Sequence, residues 1–320
     1  MKAIQLIGPQ KMDLVNSPTP TIDDDHVILK TERISICGSD MVRYREVAPE
    51  EEYPFKAGAP CHETIGIIQE SRVEGIKTGD RAIVLSPPGN YGGGVEFAHI
   101  PANRIIPVSN SGDPSVQLMA QPFGTVMHAF KLIPPVIGQT VAIVGQGPIG
   151  LSFTQAASKL GATSIIGVES IDFRRQWALR QGAKAVLHPD EDPVKELRSM
   201  TSGELADLVI EASGTPEGIN LALELVKFGG NLLAFGITDE QVIPINYSSF
   251  TRREIKIIPS RSAASTDPTQ SIKEIVTLIE QGWIDLSWMI THQRNVSEVD
   301  EAYSMYANQT NDSLKIVMDI

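Results

Sequence analysis

The segment that most constrains the fold is residues 141–150, which reads VAIVGQGPIG. Four apolar residues run directly into three glycines at Gly-x-Gly-x-x-Gly spacing, the pattern of a buried strand, a tight turn and a helix start. Gly145 can take the strained turn dihedrals, Gly147 leaves room for a phosphate to approach backbone N–H groups, and Gly150 lets the helix lie close to the strand. A dinucleotide pyrophosphate would bind at the helix N-terminus, beside Pro148 and Ile149. An ordinary strand-to-helix turn is the alternative interpretation of the same glycines.

The context of this segment favours the dinucleotide interpretation. A second apolar run, residues 165–168, ends at Glu169, which follows Gly150 by about 20 residues, the spacing of the acid that binds an adenosine ribose. A carboxylate there accepts both ribose hydroxyls and repels a 2′-phosphate, so it predicts NAD rather than NADP. Arg174 and Arg175 are counter-evidence because either could pair with a phosphate, although Arg174 could also lie along the adenosine. Ser213, in the EASG run at the end of the fourth sheet strand, is expected to line the middle of the cofactor.

Composition excludes several classes of function. The 320 residues allow two domains, and 42% apolar with 21% charged residues is typical of a globular protein. A net charge of −12 and a pI near 5.0 argue against nucleic acid or an anionic membrane as a partner. No apolar run is long enough for a membrane span and the first residues lack the pattern of a signal peptide, so we expect a cytoplasmic protein. Cys37 and Cys61 are the only cysteines, which excludes a disulfide framework and a four-cysteine zinc site.

The chain changes character after Gln121-Pro122. Before that point, short β-like runs separated by dense turn signals predict a small all-β barrel. After it, strands alternate with helices, which predicts an α/β doubly wound parallel sheet. The predicted strands are residues 141–144, 164–168, 185–187, 207–210, 231–235 and 255–258, and the predicted helices are residues 149–160, 173–181, 193–200 and 216–226. A last strand, residues 314–318, is expected to return to the barrel, so that residues 1–122 and 262–320 form one domain and residues 123–261 a Rossmann domain inserted into it.

Two predicted barrel loops carry residues typical of a metal site. Cys37-Gly38-Ser39-Asp40 and Cys61-His62-Glu63 supply a thiolate, an imidazole and carboxylates, which are ligand types that zinc prefers. The spacing of the two cysteines matches no zinc-finger pattern. From these loops alone, a buried Cys37 and an unconnected His62 are the simpler interpretation.

The order of motifs along the chain removes much of that ambiguity. The CGSD run, a His-Glu pair about 25 residues later, Gly79-Asp80-Arg81, GVEFAHIP and the glycine loop resemble, in order and spacing, the zinc-containing medium-chain alcohol and polyol dehydrogenases. The resemblance covers essentially the whole chain. It implies a GroES-like catalytic barrel, a Rossmann coenzyme domain and an active site in the cleft between them.

The resemblance also implies roles for individual residues. Cys37 and His62 match the first two catalytic zinc ligands, and Glu63 matches the acid that follows the histidine. Gln121 stands where the polyol branch has a ligand Glu before Pro, and a Gln there can reach the metal through its amide oxygen. Ser39 matches the hydroxyl that takes the substrate proton, and Asp40 matches the acid that orients the ligand histidine.

Departures from the family pattern lead to further expectations. Zn²⁺ bound by one thiolate and neutral His62 and Gln121 keeps one net positive charge, so Glu63 is expected to bind the metal at rest and to yield to an alcohol or water. Many relatives have a proton-relaying His where this chain has Val42, so either the cofactor ribose or Glu63 would pass the proton on. Cys61 replaces a usual Gly and is expected to fill a small apolar space. Residues 82–91 leave no room for a four-cysteine lobe, which predicts at most one zinc per chain.

The sequence therefore predicts an NAD- and zinc-dependent dehydrogenase that oxidises a secondary alcohol, such as a polyol, sugar or amino alcohol, to a ketone. One alternative is a zinc-free, NADPH-dependent quinone or enoyl reductase of the same fold. Another is a dinucleotide-binding sensor without catalysis. The open edge expected at residues 255–258 predicts a homodimer or homotetramer.

Overall fold

The computed structural model describes residues 1–46, 48–86, 92–238, 240–261 and 267–320. The strands in these residues are β1 (Lys2–Gly8), β2 (Lys11–Asn16), β3 (His26–Ser35), β4 (Glu63–Ser71), β5 (Arg81–Leu85), β6 (Phe97–Pro101), β7 (Ile105–Val108), β8 (Thr140–Val144), β9 (Ser164–Val168), β10 (Ala185–Leu187), β11 (Ala206–Glu211), β12 (Val226–Ala234), β13 (Lys256–Pro259), β14 (Ile290–Asn295) and β15 (Lys315–Asp319). The α-helices are α1 (Asp40–Arg45), α2 (Pro114–Leu118), α3 (Ala120–Leu132), α4 (Pro148–Lys159), α5 (Asp172–Arg180), α6 (Pro193–Met200), α7 (Pro216–Leu225), α8 (Tyr247–Arg252), α9 (Gln270–Glu280) and α10 (Val299–Ala307).

The chain divides into two compact units. The first comprises Met1–Gly124 and Ala264–Ile320, and the second comprises Thr125–Ala263. The sequence-based boundary after residue 122 lies two residues before the first of these divisions. The second boundary falls next to residues 262–266, which lie outside the described residues.

The first unit is built on a seven-stranded sheet. Its order is β14-β15-β3-β4-β5-β7, with β6 also paired to β3, and β1 and β2 form a separate hairpin. The predicted last strand is β15, which pairs antiparallel with β3 through contacts such as Val317 opposite Ser35. Strands β2, β7 and β14 were not predicted. Pro107 obscures β7, and it is tolerated there because β7 lies at the sheet edge, where a missing N–H breaks no ladder.

The second unit contains the doubly wound sheet that the sequence predicts. Its strands run in the order β10-β9-β8-β11-β12-β13, and every pairing is parallel. In register, Val144 lies opposite both Val168 and Glu211, so β8, β9 and β11 end at the same level. The loops that follow these three strands therefore share one edge of the sheet, the edge at which such folds bind ligands.

Two elements of the second unit differ from the prediction. The helix predicted for residues 216–226 ends at Leu225, and the chain enters β12 at Val226, before Gly229-Gly230, a pair that has the pattern of a helix stop. Gly229 lies inside that strand with φ +68°, at a break in the β11–β12 register, so the glycine serves a bulge rather than a helix end. The short helix α8 was not predicted. No helix in the described ranges is long and apolar enough to cross a membrane.

Candidate metal centre and dinucleotide loop

The sheet of the first unit brings Cys37, His62 and Glu63 together. Ser35, the last residue of β3, pairs with Glu63, the first residue of β4, so the loop after β3 and the loop before β4 meet at one end of the sheet. One ligand atom from each of Cys37, His62 and Glu63 lies within 4.8 Å of the other two. A thiolate sulfur, an imidazole nitrogen and a carboxylate oxygen at this spacing can bind one metal ion, and zinc is the metal that this mixture suits best.

Asp40 fixes two of these three residues. Its Oδ1 lies 2.8 Å from His62 Nδ1, and its Oδ2 accepts the backbone N–H of Cys37 at 2.9 Å. Burial raises the pKa of Asp40, whereas the neighbouring His62 lowers it. Burial also lowers the pKa of His62, but Asp40 and Cys37 outweigh it and leave that pKa well above its usual value. With Nδ1 directed at Asp40, His62 presents Nε2 as the atom that a metal would use.

The hydroxyl of Ser39 lies beside the same ligand atoms. Its Oγ is 3.3 Å from Cys37 Sγ and 3.4 Å from His62 Nε2. Ser39 directly precedes α1, and its backbone conformation is already helical. The turn after β3 therefore holds the hydroxyl next to the ligand atoms.

Glu63 has a partner, Lys315, that lies far from it in the sequence. Lys315 Nζ donates to both carboxylate oxygens, at 2.6 and 2.7 Å, and to the carbonyl oxygen of Ile36 at 3.0 Å. The two side chains are 1% and 2% exposed, so the ion pair is shielded from water. Burial lowers the pKa of Lys315, but Glu63 and Cys37 raise it above its usual value.

This pair bears on two expectations about Glu63. The charge count made from the sequence omitted Lys315, whose ammonium offsets Glu63 and restores one positive charge to the site. Glu63 is also a poor proton relay, because it is buried and both of its oxygens accept from an ammonium group. One signal could have revealed Lys315, since a lysine in the apolar run LKIVM of a predicted barrel strand requires a buried countercharge.

Gln121 offers an unpaired oxygen. It is the second residue of α3, it is 8% exposed, and its buried Oε1 has no hydrogen-bond partner in the part of the chain that the structure describes. Buried polar atoms of folded proteins usually have a hydrogen-bond partner, so this amide oxygen is available to a ligand. The donor set of Cys37, His62 and Glu63 fits a zinc ion, and Gln121 is a further candidate ligand in the same unit.

Cys61 behaves as a buried apolar residue. It is 1% exposed and belongs to a hydrophobic cluster that includes Ile36 and Tyr303. Burial raises the pKa of its thiol well above the usual value. Cys61 is therefore unsuited to binding a metal as a thiolate.

The glycine loop of the second unit has the geometry that its sequence predicts. Gly145 has φ +88°, and Gly147 caps α4 with Pro148 and Ile149 in the first turn. A Cβ added at Gly150 would lie 1.9 Å from the carbonyl oxygen of Gly145, so only glycine fits there. A Cβ added at Gly147 would find Arg174 Nη1, 3.8 Å away, as its nearest neighbour. The loop thus leaves space and a nearby cation at the N-terminus of α4, as a pyrophosphate requires.

Glu169 lies against this loop. Its Oε2 accepts the backbone N–H of Gln146 at 2.7 Å, and its Oε1 accepts that of Ile171 at 2.9 Å. Arg175, a possible phosphate partner from its place in the sequence, donates instead to the carbonyl oxygens of Glu169 and Ser170 and to Asp172. Arg175 is therefore occupied locally, and Arg174 is the arginine next to the loop.

Two buried residues, Gln146 and Glu211, hold this region in place through their side chains. Gln146 belongs to the loop itself and is fully buried, and its amide oxygen accepts from the hydroxyl of Thr154 at 2.8 Å. Glu211 is 3% exposed, and its Oε1 accepts from the backbone N–H and the hydroxyl of Ser213 at 2.7 and 2.6 Å. Glu211 thus holds Ser213 in the loop after β11, at the same sheet edge as Gly145 and Glu169.

Comparison with known proteins identifies the family of the chain. Residues 148–281 match the family described as zinc-binding dehydrogenase, and residues 23–110 match the alcohol dehydrogenase GroES-like domain. The chain belongs to the zinc-containing medium-chain dehydrogenases. Both the family and the fold class predicted from the sequence are confirmed.

Individual members of the family match along nearly the whole chain. An alcohol dehydrogenase of Cupriavidus necator is 28% identical, with 99% of this chain and 98% of the relative covered. A sorbitol dehydrogenase of Bacillus subtilis is 25% identical, with 99% and 97% covered. The solved structure of a short chain alcohol dehydrogenase from Escherichia coli CFT073, complexed with NADH, superposes with a TM-score of 0.86 at 23% identity over 100% of this chain and 99% of that one. The named relatives support a zinc-type alcohol or polyol dehydrogenase, and therefore an oxidoreductase.

Proposed function

We propose that this protein is an NAD-linked, zinc-dependent dehydrogenase that oxidises a secondary alcohol to a ketone. The observation that carries the proposal is the convergence of Cys37, His62 and Glu63, with Asp40 bonded to His62 and the Ser39 hydroxyl beside the ligand atoms. A zinc-free reductase needs none of these side chains at this spacing. A sensor without catalysis has no need for the placement of Ser39.

Each residue of the site has a distinct role in the proposal. Cys37, His62 and Gln121 would hold the metal, with Glu63 beside them. When bound, zinc supplies Lewis-acid stabilisation of negative charge on the substrate oxygen. Ser39 Oγ accepts the hydroxyl proton of the alcohol, because it is the hydroxyl that lies 3.4 Å from His62 Nε2 and 3.3 Å from Cys37 Sγ. Asp40 keeps the Nδ1 proton on His62 and so preserves Nε2 for the metal.

The proton leaves Ser39 by a route that does not pass through Glu63. Burial and the hydrogen bonds to Lys315 exclude Glu63 from contact with water. The side chain of Val42 has no group that can accept or donate a proton. Of the two routes that the sequence left open, we propose the one through a ribose hydroxyl of the cofactor.

We propose NAD as the cofactor. Gly145, Gly147 and Gly150 would admit its pyrophosphate at the start of α4, together with Pro148 and Ile149, while Arg174 and Ser213 line the same sheet edge. The carboxylate of Glu169 supports NAD, since it would repel a 2′-phosphate. Fluorescence titration with NADH and with NADPH tests this, and equal affinity for the two would contradict it.

The deciding experiment measures metal content. Protein purified without added metal is expected to contain about one zinc per chain, and the His62→Ala variant is expected to lose both the zinc and NAD-linked alcohol oxidation. His188→Ala, which alters a histidine of the second unit, is the matched control and should keep both. Absence of zinc from the parent, combined with NADPH binding, would favour the reductase instead.

The relatives support an alcohol or polyol as the substrate class. A screen of secondary alcohols, polyols, sugars and amino alcohols with NAD is therefore the next step. Ser39→Ala should abolish turnover with the best substrate while NADH binding is unchanged. Full activity of this variant would contradict the role of Ser39.

We also propose that the protein is a homodimer or homotetramer assembled through β13. That strand ends the sheet of the second unit, pairs only with β12 among the described residues, and exposes 38% of Ile257. An open apolar edge favours pairing with a second copy. Sedimentation should show a dimer or tetramer at micromolar concentration, and Ile257→Glu should weaken it, whereas Leu179→Glu on exposed α5 should not. A monomeric parent would contradict the proposal.

A further inference from the structure

We propose that Lys315 and the metal compete for the carboxylate of Glu63, so that Lys315 sets how tightly the site binds its metal. This inference rests on the proposed function. It assigns to β15, at the far end of the sequence, a positioning residue for a site otherwise formed by residues 37–63 and Gln121.

The carboxylate of Glu63 lies within reach of two partners, a metal ion and the ammonium of Lys315. One of its oxygens lies within 4.8 Å of ligand atoms of Cys37 and His62, close enough for all three to bind one ion. Both of its oxygens also accept from Lys315 Nζ, at 2.6 and 2.7 Å. A carboxylate has lone pairs for both partners, but a bond to either one draws electron density away from the other.

The charges around Glu63 make this competition strong. The ion pair is almost completely buried, so water does not screen it. Lys315 Nζ also donates a hydrogen bond to the carbonyl oxygen of Ile36 at 3.0 Å, and Ile36 directly precedes Cys37 in the chain. An ammonium bonded to both oxygens of Glu63 keeps that carboxylate from transferring its full charge to a cation at the site.

A purely structural ion pair would behave differently. If Lys315 only stabilised the barrel, its loss would lower the melting temperature equally with and without metal. If Lys315 competes with the metal, its loss leaves Glu63 with a buried unpaired charge that a cation can satisfy. The damage would then be largest in the metal-free protein and mostly reversed by metal.

The test uses Co²⁺, whose absorption bands report the ligands around it, with four proteins: the parent, Lys315→Met, Glu63→Gln, and the double variant. Co²⁺ affinity is measured by competition with a chelator. Lys315→Met should bind Co²⁺ at least about tenfold more tightly than the parent, and Glu63→Gln about tenfold more weakly. The double variant should bind it as weakly as Glu63→Gln, because Lys315 acts on the metal through Glu63. The visible bands of Lys315→Met should also shift, because Glu63 becomes a full ligand. Lys227→Met, which breaks the Lys227–Asp207 ion pair of the second unit, is the control and should change nothing.

The outcomes separate this inference from the proposed function. A parent that binds no Co²⁺ would refute the zinc-dependent function and this inference with it. A parent that binds Co²⁺ while Lys315→Met shows the same affinity and spectrum would leave the function standing and refute the competition. If Lys315→Met does not fold without metal, two other results decide. Folding of Lys315→Met on addition of Co²⁺, with equal affinities of Glu63→Gln and the double variant, would support the competition, whereas a double variant that binds Co²⁺ more tightly than Glu63→Gln would refute it, because Lys315 would then act without Glu63.

Discussion

Asp40→Asn is the substitution that tests the architecture of the candidate metal centre most directly. The two side chains have the same shape, so the change removes charge and one acceptor without creating a cavity. Asp40 is buried, and its two oxygens accept from different donors, His62 Nδ1 at 2.8 Å and the backbone N–H of Cys37 at 2.9 Å. An asparagine amide has only one oxygen, so its NH₂ group must face one of these two donors.

The magnitude follows from which contact is lost. If the amide oxygen still accepts from His62, the NH₂ group faces the backbone N–H of Cys37 and disturbs the loop that carries the Cys37 thiolate. If the amide oxygen still accepts from the backbone N–H of Cys37, His62 loses the acceptor that holds its Nδ1 proton. In either orientation one metal ligand loses its support, and such a loss typically weakens metal binding 10- to 100-fold, or about 1.4–2.7 kcal/mol.

The assay is competition for Zn²⁺ with a chelator of known affinity, at pH 7.5. The control is Asp300→Asn, since Asp300 belongs to the same unit and likewise accepts from a backbone N–H, that of Met12 at 2.9 Å, and from a cationic side chain, Lys11 at 2.7 Å. That variant should bind zinc as the parent does. An affinity for Asp40→Asn within about twofold of the parent would refute the reasoning, because it would mean that Asp40 does not orient the ligands.

Two further predictions concern other parts of the molecule. Gly150→Ala places a Cβ 1.9 Å from the carbonyl oxygen of Gly145, so it should destabilise the protein by about 1–3 kcal/mol and abolish NADH binding in a fluorescence titration with zinc content unchanged. Gly147→Ala, whose Cβ meets only open space and Arg174 at 3.8 Å, should leave the stability nearly unchanged, and equal melting temperatures for the two variants would contradict the packing argument. The pKa of His99 is lowered by burial and by His26, whose ring stacks on it at 4.3 Å. Folded protein therefore binds fewer protons than unfolded protein, and the stability contributed by neutral His99 is complete above about pH 6.5 and declines as the pH falls below it. Melting temperatures of the parent should fall more steeply between about pH 7.5 and pH 5.5 than those of His99→Phe, and parallel slopes would show that His99 does not contribute.

Much of the fold could be predicted because local patterns and tertiary structure agree. The strands of the parallel sheet are short apolar runs bounded by turn residues, and β8, β9 and β10 were predicted to within one residue at each end. The errors arose where tertiary structure overrides a local signal. Gly229-Gly230 has the pattern of a helix stop but lies inside β12, and Pro107 interrupts a run that nevertheless pairs as the edge strand β7.

The candidate site was only partly predictable, for a different reason. Cys37, Asp40, His62 and Glu63 lie in short motifs whose chemistry is visible in the sequence. Lys315 lies 252 residues after Glu63, and nothing local indicates which carboxylate it pairs with. That pairing depends on β15 lying beside β3, which is a property of the folded sheet.

The position of β15 has a consequence for the order in which the protein can fold during its synthesis. β3 and β4 leave the ribosome early, but the strand that completes their sheet and supplies the lysine for Glu63 follows only after all of the second unit. At about 5–20 residues per second, the 252 residues from Glu63 to Lys315 take on the order of 13–50 s to translate. Throughout that interval the nascent chain carries an unpaired carboxylate and an uncovered edge of β3. Folding of the first unit therefore begins before that of the second unit and ends after it. The second unit can complete its own sheet before β15 is synthesised.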